Sequence, residues 1–249
     1  MRKFTIKKLF VGLCFALLVP VAVSADVEIN ETNFPDANFR NWLLEQDYGE
    51  DGIITDVEIA RIMQIYVPGE NISTLEGIQY FIALKILSCW DNQLTSLDVS
   101  SNAALQGLSC YSNQLTSLDV SNNVALIGLV CFNNKIKGTN MEALISSLPN
   151  TDGVIYIYNI TSKTEGNVCT KSQVAKIKEK GWTPLYYNGE EWLEYEGSDD
   201  LDGIIAMEVG NGLEFGANAL AYDLNGNRVE GWQSKKGVYI VGGKKIVVK

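Results

Sequence analysis

The residues that could do chemistry in this sequence include the oxygen-bearing side chains of a short acidic segment, DYGEDGIITDVE at positions 47–58. Its spacing fits a twelve-residue calcium-binding loop, with Gly52 at the sixth position, where such a loop must bend. Five positions supply oxygen ligands: Asp47, Asp51, the Ile53 carbonyl, Thr55 and Glu58. Gly49, at the third position, supplies no side-chain ligand. The segment therefore predicts a calcium site with an incomplete ligand set, serving rigidity more than signalling.

The same segment has an interpretation that needs no metal. Thr55 followed three residues later by Glu58 is a capping box, in which each side chain bonds the other's backbone N–H at the start of a helix. Both interpretations stay open. In either case residues 26–61 are expected to form a helical, EF-hand-like N-terminal cap. A helix led by Pro35 at its first position would end near Gln46.

The chain contains no histidine, which excludes serine–histidine triads, cysteine–histidine proteases and histidine-based zinc sites. Two carboxylates alone can hydrolyse a glycosidic bond, so a carbohydrate-active enzyme is a distant alternative. Nothing in the sequence places two particular acids in one cleft. We therefore expect a protein that is not an enzyme and has no catalytic residues.

Aromatic residues recur at a fixed spacing of 21 in Trp90, Tyr111 and Phe132. If each lies at the same point of successive strands, neighbouring rings are about 4.8 Å apart and form a ladder. Asp91 begins a polar margin beside that ladder. Such a strip could anchor a protein or glycan ligand, or it could simply stabilise strand pairing. Both alternatives stay open.

The elements that must position this ladder are three copies of a 21-residue unit between residues 84 and 136, starting at Leu84, Leu105 and Leu126. The pattern Leu-x-x-Leu-x-Cys-x-x-Asn-x-Leu is typical of a leucine-rich repeat, with cysteine in one leucine position. Residues 62–83 form a degenerate first copy, so the leucine-rich repeats are expected to span residues 62–138. Because each unit is one short strand with a return path, the copies must stack into a solenoid to bury their apolar sides.

Inside each unit the strand alternation separates core from surface. The expected inward set is Leu84, Leu87, Cys89, Leu94 and Leu97, whereas Ile86, Ser88 and Trp90 face outward on the concave sheet. Cys89, Cys110 and Cys131 are thus interpreted as small buried hydrophobic residues, although neighbouring coils are close enough for an oxidised pair. Asn92, at the turn, is expected to bond backbone groups of the neighbouring coil.

Residues beyond the repeats predict two further parts. Residues 139–197 contain helices at 141–148 and 170–180, a strand at 154–158 and a hairpin across Asn188-Gly189, and would form an α/β C-terminal cap. The acidic linker GSDDLDG leads into residues 198–249, a small all-β module with turns at Asn225-Gly226 and Gly242-Gly243. The predicted fold class is therefore an α/β repeat: a short solenoid between two caps, followed by a small β module.

The first 25 residues have the features of a cleaved signal peptide, with a basic start, an apolar run to Val23 and a small-residue site ending at Ala25. The run is too short for a membrane span. Four of the chain's 20 basic residues lie there, which leaves 16 against 30 acidic residues and a net charge of −14. An acidic, exported chain is unsuited to nucleic acid.

Two stretches resemble known families. NISTLEGIQYFIAL followed by LSCWDNQLTSLDVS, within residues 27–138, is similar to bacterial internalin-type leucine-rich repeat proteins, especially those of Bacteroidetes. NVCTKSQVAKIKEKGW resembles the ending of related repeat proteins. AYDLNGNRV and GVYIVGGKKIVVK resemble the C-terminal sorting domain of type IX secretion, although a β module without that role stays open. The resemblance implies a secreted or surface protein that binds other molecules.

Taken together, the sequence predicts an exported, non-enzymatic binding protein that recognises a protein or glycan on its concave sheet. Calcium is its one expected cofactor. The alternative is a purely structural surface or assembly protein, in which the three aromatic rings would be buried against another part of the chain or another subunit.

Overall fold

The computed structural model describes residues 26–198 and parts of the tail, at 204–207, 221–222, 228–230, 237–241 and 244–248. The expected signal peptide, residues 1–25, lies outside the described residues. So do the expected tail turns at Asn225-Gly226 and Gly242-Gly243. No helix in the described part of the chain is long and apolar enough to span a bilayer.

The N-terminal segment forms a small unit of two strands and two helices. The bounds are β1 (Val27–Glu28), α1 (Ala37–Leu44), β2 (Ile53–Ile54) and α2 (Asp56–Ile59), with β1 antiparallel to β2. Asp36 caps α1 by accepting hydrogen bonds from the backbone N–H groups of Asn38 and Phe39. The expectation that Pro35 opens this helix was wrong, because the capping carboxylate stands one residue after the proline.

Asp36 also joins this unit to the first coil. Its second carboxylate oxygen accepts from the backbone N–H and the hydroxyl of Ser73, at 2.8 and 2.7 Å, and from the Thr74 N–H at 3.4 Å. The side chain is buried. These hydrogen bonds lower the pKa of Asp36 despite burial, which acts to raise it. One carboxylate thus starts a helix and docks it onto the repeats.

The repeats build one sheet of seven strands in sequence order. They are β3 (Gln64–Tyr66), β4 (Ile86–Ser88), β5 (Gly107–Ser109), β6 (Gly128–Val130), β7 (Val154–Asn159), β8 (Thr183–Tyr187) and β9 (Trp192–Glu194). Strands β3 to β8 are parallel, and β9 returns antiparallel to β8. The pairing places Leu87 beside Leu108 and Leu108 beside Leu129, so the 21-residue period of the sequence is the period of the coils.

The core of the solenoid consists of the residues expected to point inward. The inward set named above for the first full copy is buried, as are its five counterparts in the second copy. In the third copy the buried counterparts are Leu126, Leu129, Cys131 and Ile136. The three cysteines of the repeat are fully buried and directly follow their strands. The prediction of an α/β repeat solenoid is confirmed.

Asparagine side chains connect each coil to the one before it. The amide Nδ2 of Asn113 donates to the carbonyls of Cys89 and Cys110, at 3.0 and 3.1 Å, while its Oδ1 accepts from the Leu94 N–H at 3.0 Å. Asn92 and Asn134 repeat this arrangement, which confirms the role expected for Asn92. These amides satisfy backbone groups that would otherwise be orphaned in the core.

The C-terminal part continues the sheet with helices on its return path. Helix α3 (Thr139–Ser147) precedes β7, and α4 (Lys171–Glu179) precedes β8. Thr170 and Gln173 form a capping box at the start of α4. The indole of Trp182 is fully buried and donates to the Pro149 carbonyl at 2.8 Å.

The tail strands form a separate five-stranded sheet. Its members are β10 (Ile204–Met207), β11 (Ala221–Tyr222), β12 (Arg228–Val229), β13 (Gly237–Val241) and β14 (Lys244–Val248). Their order is β10-β14-β13-β11-β12, with β10 parallel to β14 and the other pairs antiparallel.

Candidate functional site: the aromatic row on the outer sheet face

The predicted aromatic ladder lies on the outer sheet face. We use this name for the surface formed by the outward side chains of β3 to β8 and of the residues just after β4 to β6. The ring centroids of Trp90 and Tyr111 are 5.2 Å apart with planes 6° from parallel, and those of Tyr111 and Phe132 are 4.5 Å apart at 15°. Stacking follows from the register, because each ring leaves the chain one residue after a buried cysteine. The expected ladder is confirmed as a geometric feature, and we call these three residues the aromatic row.

Two further rings close the ends of the aromatic row. Tyr66 meets Trp90 edge-on, with centroids 6.4 Å apart, and is itself 62% exposed. At the other end Trp192, from β9, lies 5.3 Å from Phe132 and 4.8 Å from Tyr156. Phe132 is consequently only 8% exposed, whereas Trp90 and Tyr111 are half-buried. The accessible part of the row is its N-terminal end.

Each ring is followed by a residue in the left-handed backbone region. Asp91, Ser112 and Asn133 have φ values of 56°, 53° and 53°. The N–H of Asp91 donates to the Tyr111 carbonyl, and that of Ser112 to the Phe132 carbonyl, both at 3.1 Å. Asp and Asn tolerate this conformation better than most residues, so these positions serve the turn as well as forming the polar margin. The Asp91 side chain is exposed.

Glu165 completes this hydrogen-bond series where the regular coils stop. The N–H of Asn133 has no further coil of the same type to donate to and instead donates to Glu165 Oε2 at 2.8 Å. The same oxygen accepts from the Asn159 N–H at 2.9 Å, and Oε1 accepts from the Asn167 N–H at 2.9 Å. Burial raises the pKa of Glu165 against the opposing effect of these donors.

Three of the proposed calcium ligands, Asp51, Thr55 and Glu58, are already engaged in local hydrogen bonds, and Asp47 is exposed. Glu58 Oε2 accepts from the backbone N–H and the hydroxyl of Thr55, at 2.9 and 2.8 Å, and the Thr55 hydroxyl accepts from the Glu58 N–H, which is the capping box. Asp51 Oδ1 accepts from the Ile53 N–H at 3.0 Å. Among the described residues, no three histidine, cysteine, aspartate or glutamate side chains converge on a point where a metal could bind.

The missing ligand at the third loop position has a steric cause. A Cβ atom on Gly49 would lie 2.0 Å from the Leu43 carbonyl oxygen, so no side chain fits there with this backbone. Gly52, in contrast, has the positive φ of 80° that the bend position needs. The loop has the bend of a calcium site but lacks room for its full ligand set, and calcium binding stays a prediction.

Two grooves lie away from the aromatic row, on the return path of the coils. One has a volume of about 430 Å³ and is bordered by Glu76, Ser96 and Asp98. Asp98 accepts from the N–H of Ser100 at 2.9 Å, and hydrogen bonds from Ser100 lower its pKa. A general acid at neutral pH needs a raised pKa. Asp98 is therefore a turn-forming carboxylate that is poorly suited to act as the general acid of glycoside hydrolysis.

No protein-family model matches the chain, and no curated protein matches it. Solved structures that match include the functional domain of InlJ from Listeria monocytogenes, which includes a cysteine ladder. Its identity is 30% over 45% of this chain and 25% of that chain, at a TM-score of 0.41. The chain therefore matches only a quarter of the length of that structure.

Two other matching structures also come from Listeria monocytogenes. The internalin InlF is 19% identical over 66% of this chain and 59% of that chain, at a TM-score of 0.44. The internalin C2 structure is 17% identical over 66% of this chain and 88% of that chain, at 0.32. The repeat fold described above rests on the strand register and ladders of the chain itself.

Three residues at the site were not anticipated from the sequence: Tyr66, Glu165 and Trp192. The degenerate first copy of the repeat places Tyr66 opposite Ser88, not opposite Trp90, so the 21-residue count does not reveal it. Glu165 and Trp192 lie beyond the periodic region, where spacing carries no signal.

Proposed function

We propose that this chain is an exported, non-enzymatic binding protein that recognises a protein or glycan ligand on its outer sheet face. The observation that supports this most directly is the exposed end of the aromatic row. Tyr66 and Ile86 are 62% and 42% exposed beside the half-buried Trp90 and Tyr111. Aromatic side chains that pack rigidly against each other offer a large contact area at low entropic cost, which favours their use as binding anchors. Asp91 supplies the exposed polar edge.

A structural role is favoured by a different observation at the other end of the row. Phe132 is buried beneath Trp192, and the two rings with Tyr156 form a packed cluster of the chain's own residues. Phe132 therefore supports the sheet more than it offers a ligand surface. We propose that Trp90 and Tyr111 anchor the ligand, with Phe132 holding their stack in place.

Export through a signal peptide cleaved after Ala25, weak calcium binding by the loop at 47–58, and a sorting role for the tail are further parts of the proposal. The calcium part draws support from the positive φ of Gly52. The described geometry also supports a metal-independent cap, since Glu58 already has two hydrogen-bond donors. Calcium would rigidify this cap.

The test is a screen of purified residues 26–249 on glycan and protein arrays, with and without calcium, followed by Trp90→Ala and Tyr111→Ala. We expect binding that either substitution reduces about tenfold or more, as for interface hot spots. Val124→Ala is the matched control, because Val124 is 73% exposed and lies outside the outer sheet face. Binding that survives both aromatic substitutions would place the ligand elsewhere, and an array with no hit would favour the structural alternative.

A further inference from the structure

Two neighbouring strands of the outer sheet face carry glycine at the same outward position. Gly107 on β5 is paired with Gly128 on β6, and the row continues to Ile86 on one side and Val154 on the other. β-branched residues therefore flank two positions that have no side chain. We call Gly107 and Gly128 the glycine floor.

Neither the backbone nor internal packing requires glycine at these positions. Both residues lack the positive φ that would favour glycine. A Cβ on Gly107 would lie 4.0 Å from Ile86 Cγ1, an ordinary contact, and a Cβ on Gly128 would have no atom within 4 Å. Glycine inside a strand weakens it and often marks a place where another molecule approaches the backbone closely. The glycine floor therefore leaves an open space on the sheet surface and lowers the stability of the two strands that contain it.

The surroundings of the glycine floor are mainly apolar. Ile86 and Val154 stand at its two ends, three strand spacings or about 14 Å apart. On the side of the aromatic row the next outward positions of β5 and β6 are Ser109 and Val130. The result is a shallow hollow with aliphatic ends, which Ser109 separates from Tyr111 of the aromatic row.

We infer that the glycine floor receives a bulky apolar side chain of a partner polypeptide whose flanking residues are basic. This rests on the proposed function and names the ligand class for it. The apolar walls fit an aliphatic or aromatic side chain. Exposed carboxylates stand near both ends of the aromatic row, with Asp91 next to Trp90, and Glu190 and Glu191 just before Trp192. Lys85 is the exposed basic residue beside Ile86.

Charge complementarity sets the sign of the partner. Residues 26–249 carry a net charge of −14, so a basic partner is steered toward them and an acidic partner is repelled. A glycan is disfavoured by the stacking within the aromatic row. The facing planes of Trp90, Tyr111 and Phe132 are occupied by one another, at 5.2 and 4.5 Å, so a sugar ring cannot lie between them.

The experiment selects binders to residues 26–249 from a phage-displayed library of random twelve-residue peptides. A selected peptide is then synthesised, and its affinity is measured for three variants. Gly107→Val/Gly128→Val fills the glycine floor with the type of side chain found on the neighbouring strands. Ala103→Val is the control, because the equivalent position one coil later is already Val124, outside the hollow. Trp90→Ala reports on the proposed function independently.

We expect enriched peptides with a large apolar residue between lysines or arginines, and affinity that weakens as salt is added. The double valine variant should bind roughly tenfold more weakly or worse, with thermal stability equal to or above that of the original chain, while Ala103→Val binds normally. Affinity lost in Trp90→Ala but kept in the double valine variant would overturn the glycine floor and leave the proposed function standing. Enrichment of acidic or purely polar peptides would overturn the stated partner chemistry. Peptide binding that is retained by both the double valine variant and Trp90→Ala would refute the site altogether.

Discussion

Replacing Glu165 by glutamine tests how the hydrogen-bond series of the solenoid ends. Three backbone N–H groups, from Asn133, Asn159 and Asn167, donate to the two carboxylate oxygens at 2.8–2.9 Å. Glutamine keeps the shape of the side chain but has a single acceptor oxygen. If that oxygen takes the place of Oε2, the Asn167 N–H loses its acceptor and faces an NH₂ group instead.

The magnitude follows from one unsatisfied donor in a mostly buried place. Such a group costs about 1–3 kcal/mol, and removal of a buried charge offsets part of that cost, since burial raises the pKa of Glu165. We expect Glu165→Gln to lower the free energy of unfolding by roughly 1–2 kcal/mol. This corresponds to about 2–4 °C in Tm for each kcal/mol in a domain of this size.

The assay is urea unfolding of residues 26–249, combined with hydrogen exchange resolved at the three amides. Exchange should accelerate most at Asn167 and less at Asn133, because the glutamine oxygen can still serve the latter. Glu190→Gln is the matched control at an exposed side chain, and its effect should stay within about 0.5 kcal/mol. A Glu165→Gln protein indistinguishable from this control in both measurements would refute the idea that Glu165 terminates the series.

Three further predictions concern the caps and the core. Asp36→Asn should lower the free energy of unfolding by about 1–2 kcal/mol at neutral pH. Because hydrogen bonds with Ser73 lower the pKa of Asp36, this stability difference between the two proteins should be present above the ordinary pKa of 3.8 and disappear as pH falls through the lowered pKa. An equal stability difference at all pH values between 2 and 7 would contradict this. Burial raises the pKa of Cys110 to about 12 and that of Cys131 well above its ordinary value. Iodoacetamide at pH 8 should therefore label neither thiol in the native chain and both after denaturation, as counted by mass spectrometry. Rapid labelling of the native chain would contradict this prediction. Calorimetric titration should show calcium binding only at submillimolar to millimolar concentrations, weakened by Glu58→Gln, and no heat at millimolar calcium would remove the metal from the N-terminal cap.

The sequence predicts most of what is periodic in this fold. A strict 21-residue period fixes which residues share a row, so the inward position of Cys110, the coil-bridging amide of Asn113 and the stacking of Trp90 on Tyr111 all follow before any coordinates are known. The physical reason is that identical neighbours in a parallel stack must meet at identical positions. Local rules also place the capping box at Thr55, where α2 begins.

What the sequence does not predict lies where the period ends. The contact of Trp192 with Phe132 spans both β8 and β7 and depends on the three-dimensional course of a hairpin, and no spacing encodes it. Glu165 replaces a backbone carbonyl by a side chain, a substitution that leaves no trace in the pattern. The dual contacts of Asp36 join segments 37 residues apart. Each of these contacts occurs once, at a place where the repeats end, so the periodicity of the sequence carries no information about it.

The separation of repeated coils from specialised ends bears on how such a protein can change its length. The cysteine, asparagine and aromatic positions recur together every 21 residues, whereas Asp36 and Glu165 act once each, at opposite ends. A duplication of one 21-residue unit therefore brings its own core residue, its own bridging amide and its own ring, and it joins the coils on both sides without altering either cap. Each such event lengthens the outer sheet face by about 4.8 Å. The lineage can thus alter the size of its recognition surface in whole coils by gene duplication alone, and selection can then act on the outward positions of the new coil.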